Sequence, residues 1–167
     1  MTDLTIGQAQ RMTAPAPFAL LTSADKEGKT NIMAVSWWTY LSNHPVKIGA
    51  CLSNKGYSGG NIREGGEFAI CVVDEQLRDS ALQCGRCSGR STDKASELGI
   101  ELAEAKTISP KVVAASKVVF ECKLSDMLEF GDHTFFVADV VAVYGDDSKK
   151  QLFAYDGYGR LGTAVEG

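Results

Sequence analysis

Lys117-Val-Val-Phe-Glu-Cys-Lys-Leu-Ser-Asp-Met-Leu-Glu-Phe130 and His133-Thr-Phe-Phe-Val-Ala-Asp-Val-Val-Ala-Val-Tyr144 flank the pair Gly131-Asp132. Two long segments rich in valine and phenylalanine around Gly-Asp read as an antiparallel hairpin. Upstream, Pro110 marks a break, Asp93–Leu98 carries one or two helical turns, and the polar, glycine-containing Cys84–Thr92 is a loop. Glu75–Gln83 has helical spacing through Leu77, Ala81 and Leu82, and Phe68–Val73 is a short strand. Ser58 is placed to cap a short helix to Glu64, ended by Gly65-Gly66. Pro17–Ser23 and Asn31–Thr39 pair as a hairpin around Asp25-Lys-Glu-Gly28, and Val46–Leu52 follows Pro45 as a third strand. Downstream, Gln151–Tyr155 reads as the last strand. About seven strands, with short helices in the connections and no regular strand–helix alternation, predict a mainly β chain closed, or nearly closed, into a barrel.

The 167 residues are expected to form one domain, 1–167, long enough for a sizeable core. At 44% hydrophobic and 23% charged, with 4 prolines, the chain has the composition of an ordered globular protein. The net charge of -4 argues against nucleic acid or an anionic membrane as partner. Met1–Thr13 lacks the continuous apolar stretch of a secretory leader, and Asp139 interrupts Phe135–Tyr144 well short of the roughly 18 residues of a spanning helix. Of 5 cysteines, Cys51, Cys71 and Cys122 sit inside apolar runs, which suits reduced thiols and a cytoplasmic location better than a disulfide framework.

Two phrases carry chemistry. Asn31-Ile-Met-Ala-Val-Ser-Trp-Trp-Thr39 alone is most simply a core strand. Asn31 and Ser36 interrupt it, however, and a buried amide or hydroxyl must find partners. Trp37 and Trp38 point to opposite faces, so at most one lines a given pocket. Ser53-Asn-Lys-Gly-Tyr-Ser-Gly-Gly-Asn61 is a surface turn on the bland reading and a phosphate site on the functional one. Lys55 supplies charge, Ser53 and Ser58 supply hydroxyls, and Gly56, Gly59 and Gly60 let backbone amides approach. A helix start near Ser58 adds unpaired N–H groups and a favourable dipole. A flat aromatic platform beside an anion cradle is what a phosphorylated planar cofactor needs.

Three other matches carry less. Gly157-Tyr-Gly-Arg-Leu-Gly162 fits GxGxxG by letter, but Thr163–Gly167 leaves no room for the helix, second strand and acidic residue of a dinucleotide site. Cys84-Gly-Arg-Cys87 lacks the strand–helix context of a thioredoxin motif, and with only His44 and His133 available no metal site is expected. It reads as a loop with two incidental thiols, a regulatory disulfide being the alternative. His133 has no Gly-x-Ser-x-Gly elbow to serve, so it reads as a cofactor or substrate contact at a strand opening.

In the order and spacing of these anchors the chain resembles the flavin reductase-like family that binds FMN in a split β-barrel, a family including flavoredoxins and small reductase components of two-component monooxygenases. The anchors are Thr22–Gly28, Asn31…Ser36-Trp37, Asn43-His-Pro45, Ser53…Ser58…Asn61, Ser88-Gly-Arg…Asp93-Lys94, Pro110, Glu121-Cys122 and Gly131-Asp-His133, covering roughly Pro15 to Gly162. The resemblance implies that Asn31, Ala34, Val35, Ser36, Trp37, Trp38 and Thr39 edge the isoalloxazine ring. It implies that Ser53, Asn54, Lys55, Ser58 and Asn61 hold the phosphate and ribityl chain. Lys94 and His133 would approach from the far side of the pocket, from the partner subunit of a homodimer or from a crossing loop, and supply the positive field of the catalytic centre. Ala95 stands where the family has a bulky residue, and Cys84 and Cys87 have no family counterpart.

The activity so implied is an NAD(P)H-dependent flavin reductase, with FMN as cofactor, NADH or NADPH as donor, and a small-molecule or protein electron acceptor. A flavoredoxin-like electron carrier without its own NAD(P)H oxidation is the alternative. A third reading is a barrel that binds haem, pyridoxal phosphate or no ligand.

Overall fold

The structure is a computed structural model that describes residues 1–164; residues 165–167 lie outside the description. The chain opens with α1 (Ile6–Met12), capped by Thr5 and Gln8, then β1 (Ala16–Pro17), β2 (Ala19–Ala24), β3 (Thr30–Val35), β4 (Trp38–Asn43) and β5 (Val46–Ser53). Helix α2 (Tyr57–Gly65) leads into β6 (Glu67–Val73), a 3-10 turn, α3 (Arg78–Cys84) and α4 (Lys94–Glu97). Next come β7 (Leu102–Ala103), β8 (Val112–Val113), β9 (Ser116–Phe130), β10 (His133–Gly145), β11 (Leu152–Ala154) and β12 (Leu161–Thr163). The β9–β10 hairpin is as the sequence predicts, with Gly131 at φ 54 in its turn, a conformation that favours glycine.

Seven strands form one antiparallel sheet in the order β3-β2-β6-β9-β10-β5-β4. Its two edges, β3 and β4, are consecutive in sequence, with only Ser36 and Trp37 between them. That link spans at most roughly 11 Å. A flat sheet of this size would separate its edges by about 29 Å. The sheet must therefore curl until its edges nearly meet, and the Cys51 N–H donates to the Trp37 carbonyl (2.8 Å), which carries the β4–β5 pairing up into the link. This is a split β-barrel.

The closure corrects the reading of Asn31–Thr39 as one strand. Residues 30–35 pair with β2, and residues 38–43 pair with β5 on the opposite edge. The alternation breaks at the link, since Val35 and Trp38, three residues apart, both pack in the barrel core; the apolar run itself gives no sign that the hydrogen-bonding partners change. Ser58 is likewise not the cap of α2: Gly56 holds that position, and Ser58 lies in the first turn. A short strand, β12, follows β11 where the latter was expected to be last.

Both faces of β2 and β6 are buried, which explains their unbroken apolar runs. Leu21, Ile48, Phe68, Ile70 and Phe136 fill the barrel, while Phe18, Leu20, Cys71, Val113 and Leu152 form a second core outside it. One charge belongs to this outer region. Glu121 is 0% exposed and accepts four hydrogen bonds, from the Lys106 and Thr107 amides (2.6 and 2.7 Å), the Thr107 hydroxyl (2.6 Å) and the Tyr144 hydroxyl (2.7 Å). Burial alone would push its carboxyl up; the hydrogen bonds from Thr107, Lys106 and Tyr144 outweigh it and hold the group below its ordinary value. Among the described residues no helix is long and apolar enough to cross a membrane.

Candidate functional site

A cavity of about 580 Å³ lies on the outer face of the barrel beside the closure, within the size range of small-molecule sites. Its walls come from β3, the Ser36-Trp37 link, the end of β5, the start of α2, the loop after α3, and α4. It brings together ten of the residues singled out from sequence. Asn31, Ala34, Val35, Ser36 and Trp37 form one wall; Ser53, Lys55, Ser58, Lys94 and His133 come from the others.

Four do not line it, each for a definite reason. Trp38 follows the switch of edge and turns into the barrel, its ring 6.2 Å from that of Phe120. Thr39 sits outward on β4, paired with Gly49 and clear of the cavity. The Asn54 amide donates to the Gly131 carbonyl (3.1 Å) and its oxygen accepts from the Thr134 hydroxyl (2.7 Å), so it pins the hairpin turn instead. Asn61 lies a turn further along α2 and donates to the Ser23 hydroxyl (3.4 Å) inside the fold.

The cationic end is built around the start of α2. Gly56 makes no side-chain capping bond, so first-turn N–H groups stay available. Ser58 accepts from the Asn31 amide (2.8 Å), tying α2 to β3. Arg90 packs over the Tyr57 ring (5.5 Å) and donates to the Lys55 carbonyl (3.1 Å), adding a second cation beside Lys55. Sequence reasoning missed Arg90 as a wall residue; its neighbour Gly89 was the available signal. A Cβ on Gly89 would lie 1.8 Å from the Asn31 side-chain oxygen, so only glycine lets the 84–92 loop close over β3.

At the mouth, Trp37 is 48% exposed and its ring lies 4.9 Å from that of His133. The His133 Nδ1 is 2.7 Å from the Asp132 carboxylate, and this hydrogen bond, with the charge of His133, holds Asp132 below the usual carboxylate range. Tyr158, another wall residue missed from sequence, accepts the Ser36 N–H on its hydroxyl (3.0 Å). It comes from the glycine-rich 157–162 stretch, which forms no dinucleotide fold but supplies this contact.

Two polar groups in the wall lack full partners among the described residues. The Ser36 hydroxyl oxygen is buried with no hydrogen bond. Lys94 is only 6% exposed, and its ammonium donates to a single group, the Cys84 carbonyl (2.9 Å). Lys94 reaches the cavity from α4 of the same chain, by the crossing-loop route. An ammonium carries three donors, and burying it without an anion is costly. The wall therefore suits a ligand with an anionic or acceptor-rich planar part near Lys94 and Ser36, and an anionic tail at α2.

A model of the flavin reductase like domain matches residues 11–162. The chain belongs to the flavin reductase-like family. That membership places it among flavin-related oxidoreductases. It is similar to an uncharacterized protein of Archaeoglobus fulgidus (30% identical, 73% of this chain and 69% of that one). It is also similar to a flavin reductase of Pseudomonas putida (29% identical, 87% and 82%). The chain spans about half, 54%, of a longer Aeropyrum pernix protein that it matches. Among solved structures, the FMN-binding protein of Thermus thermophilus with bound 1-cyclohex-2-enone superposes with a TM-score of 0.82 at 25% identity, over 93% of this chain and 89% of that one.

Proposed function

We propose that this chain binds FMN in the cavity and takes a hydride from NADH or NADPH, passing the electrons to a small-molecule or protein acceptor. The observation that carries the reading is Lys94, a buried ammonium with one neutral partner facing a cavity whose far end is cationic. Lys55, Arg90, Ser53 and the open turn of α2 would hold the phosphate, while Asn31 and Ser36 would meet the polar edge of the ring.

Bound FMN would supply the hydride-accepting redox chemistry. The Lys94 ammonium would stabilise negative charge on a reduced ring held beside it. Trp37 offers an aromatic face to the ring system or its partner. Asp132 orients the His133 ring through Nδ1 and leaves Nε2 to hold or release a proton at the mouth.

A second copy of the chain is the proposed partner. The β9–β10–β5 register puts Leu128 and Phe130 on the same outer face as His133, Phe135 and Cys51, beside Trp37. Phe130 is 60% exposed, and this apolar face adjoins the cavity mouth, so a homodimer built on it would wall the site.

The test is anaerobic absorbance spectroscopy of purified protein with FMN, then NADH or NADPH. Bleaching of bound flavin by either nucleotide is expected. Bound flavin that neither bleaches would make the chain an electron carrier fed by another protein. Failure to bind FMN would remove the proposal altogether.

A further inference from the structure

Cys84-Gly-Arg-Cys87 is a pair of free thiols that flavin reduction does not use, and both cysteines line the flavin cavity. Cys84 ends α3 and is buried; its thiol donates to the Ile32 carbonyl (3.5 Å). Cys87 is half-buried in the following turn; its thiol donates to the Gln83 carbonyl (3.5 Å), which also accepts the Arg86 N–H (2.9 Å). Gly85 keeps right-handed helical angles (φ -76, ψ -12), and residues 85–87 turn on from the end of α3, so the two cysteines stand at the two ends of one tight turn. Residues three apart around a helical turn stand roughly 5–6 Å apart at Cβ, the spacing from which this turn departs. A disulfide needs about 3.8 Å. A small tightening of this turn closes the gap, and Gly85 puts no side chain in the way. Among the described residues no group of three or more His, Cys, Asp or Glu is gathered where it could hold a metal.

We propose that Cys87 and Cys84 are a redox-active dithiol in the cavity wall, Cys87 being the thiol that attacks hydrogen peroxide and Cys84 the one that closes the disulfide. The proposal rests on the flavin reading for its oxidant, since reduced flavin that hands two electrons and two protons to dioxygen yields hydrogen peroxide inside this cavity. The Cys87 sulfur attacks one peroxide oxygen, the O–O bond breaks, and the departing hydroxide takes up the thiol proton as water. Cys87 is left as a sulfenic acid. The Cys84 sulfur then attacks the Cys87 sulfur, the S–S bond forms, and the hydroxyl leaves with the Cys84 proton as a second water. Two thiols have lost two electrons and one peroxide has gained them.

The division of roles follows exposure. Cys87 opens to the cavity, while Cys84 is held under it by Ile32. Burial pushes the Cys84 thiol up to about 11, which suits a resolving thiol that waits for an activated sulfur. Cys51, the third thiol in the wall, is raised first by burial and then by the charge of Asp132, and it lies across the cavity on β5. Closure of the pair moves the residue whose carbonyl holds Lys94, which links the oxidation state of the wall to the cation that faces the flavin.

The test uses the full chain, purified under reductant, freed of flavin and treated with equimolar hydrogen peroxide. The intact mass is expected to fall by two hydrogens, and peptide mapping to place the bond between Cys84 and Cys87. Cys84→Ser should stop at a Cys87 sulfenic acid that a cyclic 1,3-diketone captures. Cys87→Ser, a milder change at a half-buried position, should neither lose the hydrogens nor be labelled. A Cys51–Cys87 bond, or sulfinic acid on Cys87 without a disulfide in the unaltered chain, overturns the proposal. A fluorescence titration of FMN into the reduced sample reads the flavin proposal separately, because the peroxide experiment contains no flavin.

Discussion

Glu121 and Lys94 are both buried charges, and they are treated in opposite ways. Glu121 is surrounded by four donors that consume its oxygens, and they bind the 104–109 segment and β10 to the outer core. Lys94 has one carbonyl and an open cavity. A buried charge whose partners are complete is part of the structure; a buried charge left short of partners is waiting for something the chain does not contain. The contrast separates stability from binding, and substitutions can probe the two independently.

The largest effect is expected from Glu121→Ala, which strands several buried donors. A loss of about 3 kcal/mol or more follows from the cost of unsatisfied groups. A melting point roughly 6–12 °C lower follows for a chain of this size. FMN affinity of the folded fraction should hardly move. Lys94→Met should do the reverse: FMN affinity falls by about ten-fold to a hundred-fold, the worth of a charged hydrogen bond. Its melting temperature without ligand should hold or rise, because an ill-partnered buried charge is gone. If Lys94→Met unfolds the protein and leaves affinity intact, the contrast fails.

Gly89→Ala should be smaller and specific. The added methyl displaces Asn31 or lifts the loop, at about 1–3 kcal/mol if the strain stays local. FMN titration should show weaker binding, with the hydrogen bond from the Asn31 amide to the Ser58 hydroxyl disturbed in an NMR or crystal comparison. The smallest effect is in pH. Glu121 sits below its ordinary value of 4.5 in the fold, so its contribution to stability is complete above that pH and is lost as pH falls through the lowered value. Denaturation midpoints measured from pH 7 to pH 3 should therefore fall more for the unaltered chain than for Glu121→Gln. Equal slopes would mean that the carboxylate is not the acid-sensitive element.

The strands were legible where pairing is local. Gly131-Asp132 between two long apolar segments announces its own hairpin, and Asp25–Gly28 does the same. The Ser36-Trp37 switch was not legible, because alternation along a strand records which face a residue takes and says nothing about which neighbour it bonds. The cavity shows the same division. Lys55, Ser58 and Asn31 could be found because each interrupts a pattern in an unusual way. Arg90 and Tyr158 sit in polar, glycine-containing stretches where a wall residue and a loop residue look alike, and only the return of distant segments to one place tells them apart. Asn54 and Asn61 misled for the converse reason, since an amide reads the same whether it faces a ligand or pins a turn.

The two-residue link between the barrel edges has no slack, and that gives the cavity one fixed jaw. Lengthening Ser36-Trp37 would release the sheet closure itself, whereas the facing 84–92 loop carries no strand and, apart from Gly89 where it closes over Asn31, can change without releasing the closure. Variation in what this scaffold accommodates has only one side on which to accumulate, and in this chain that side is where two cysteines have settled.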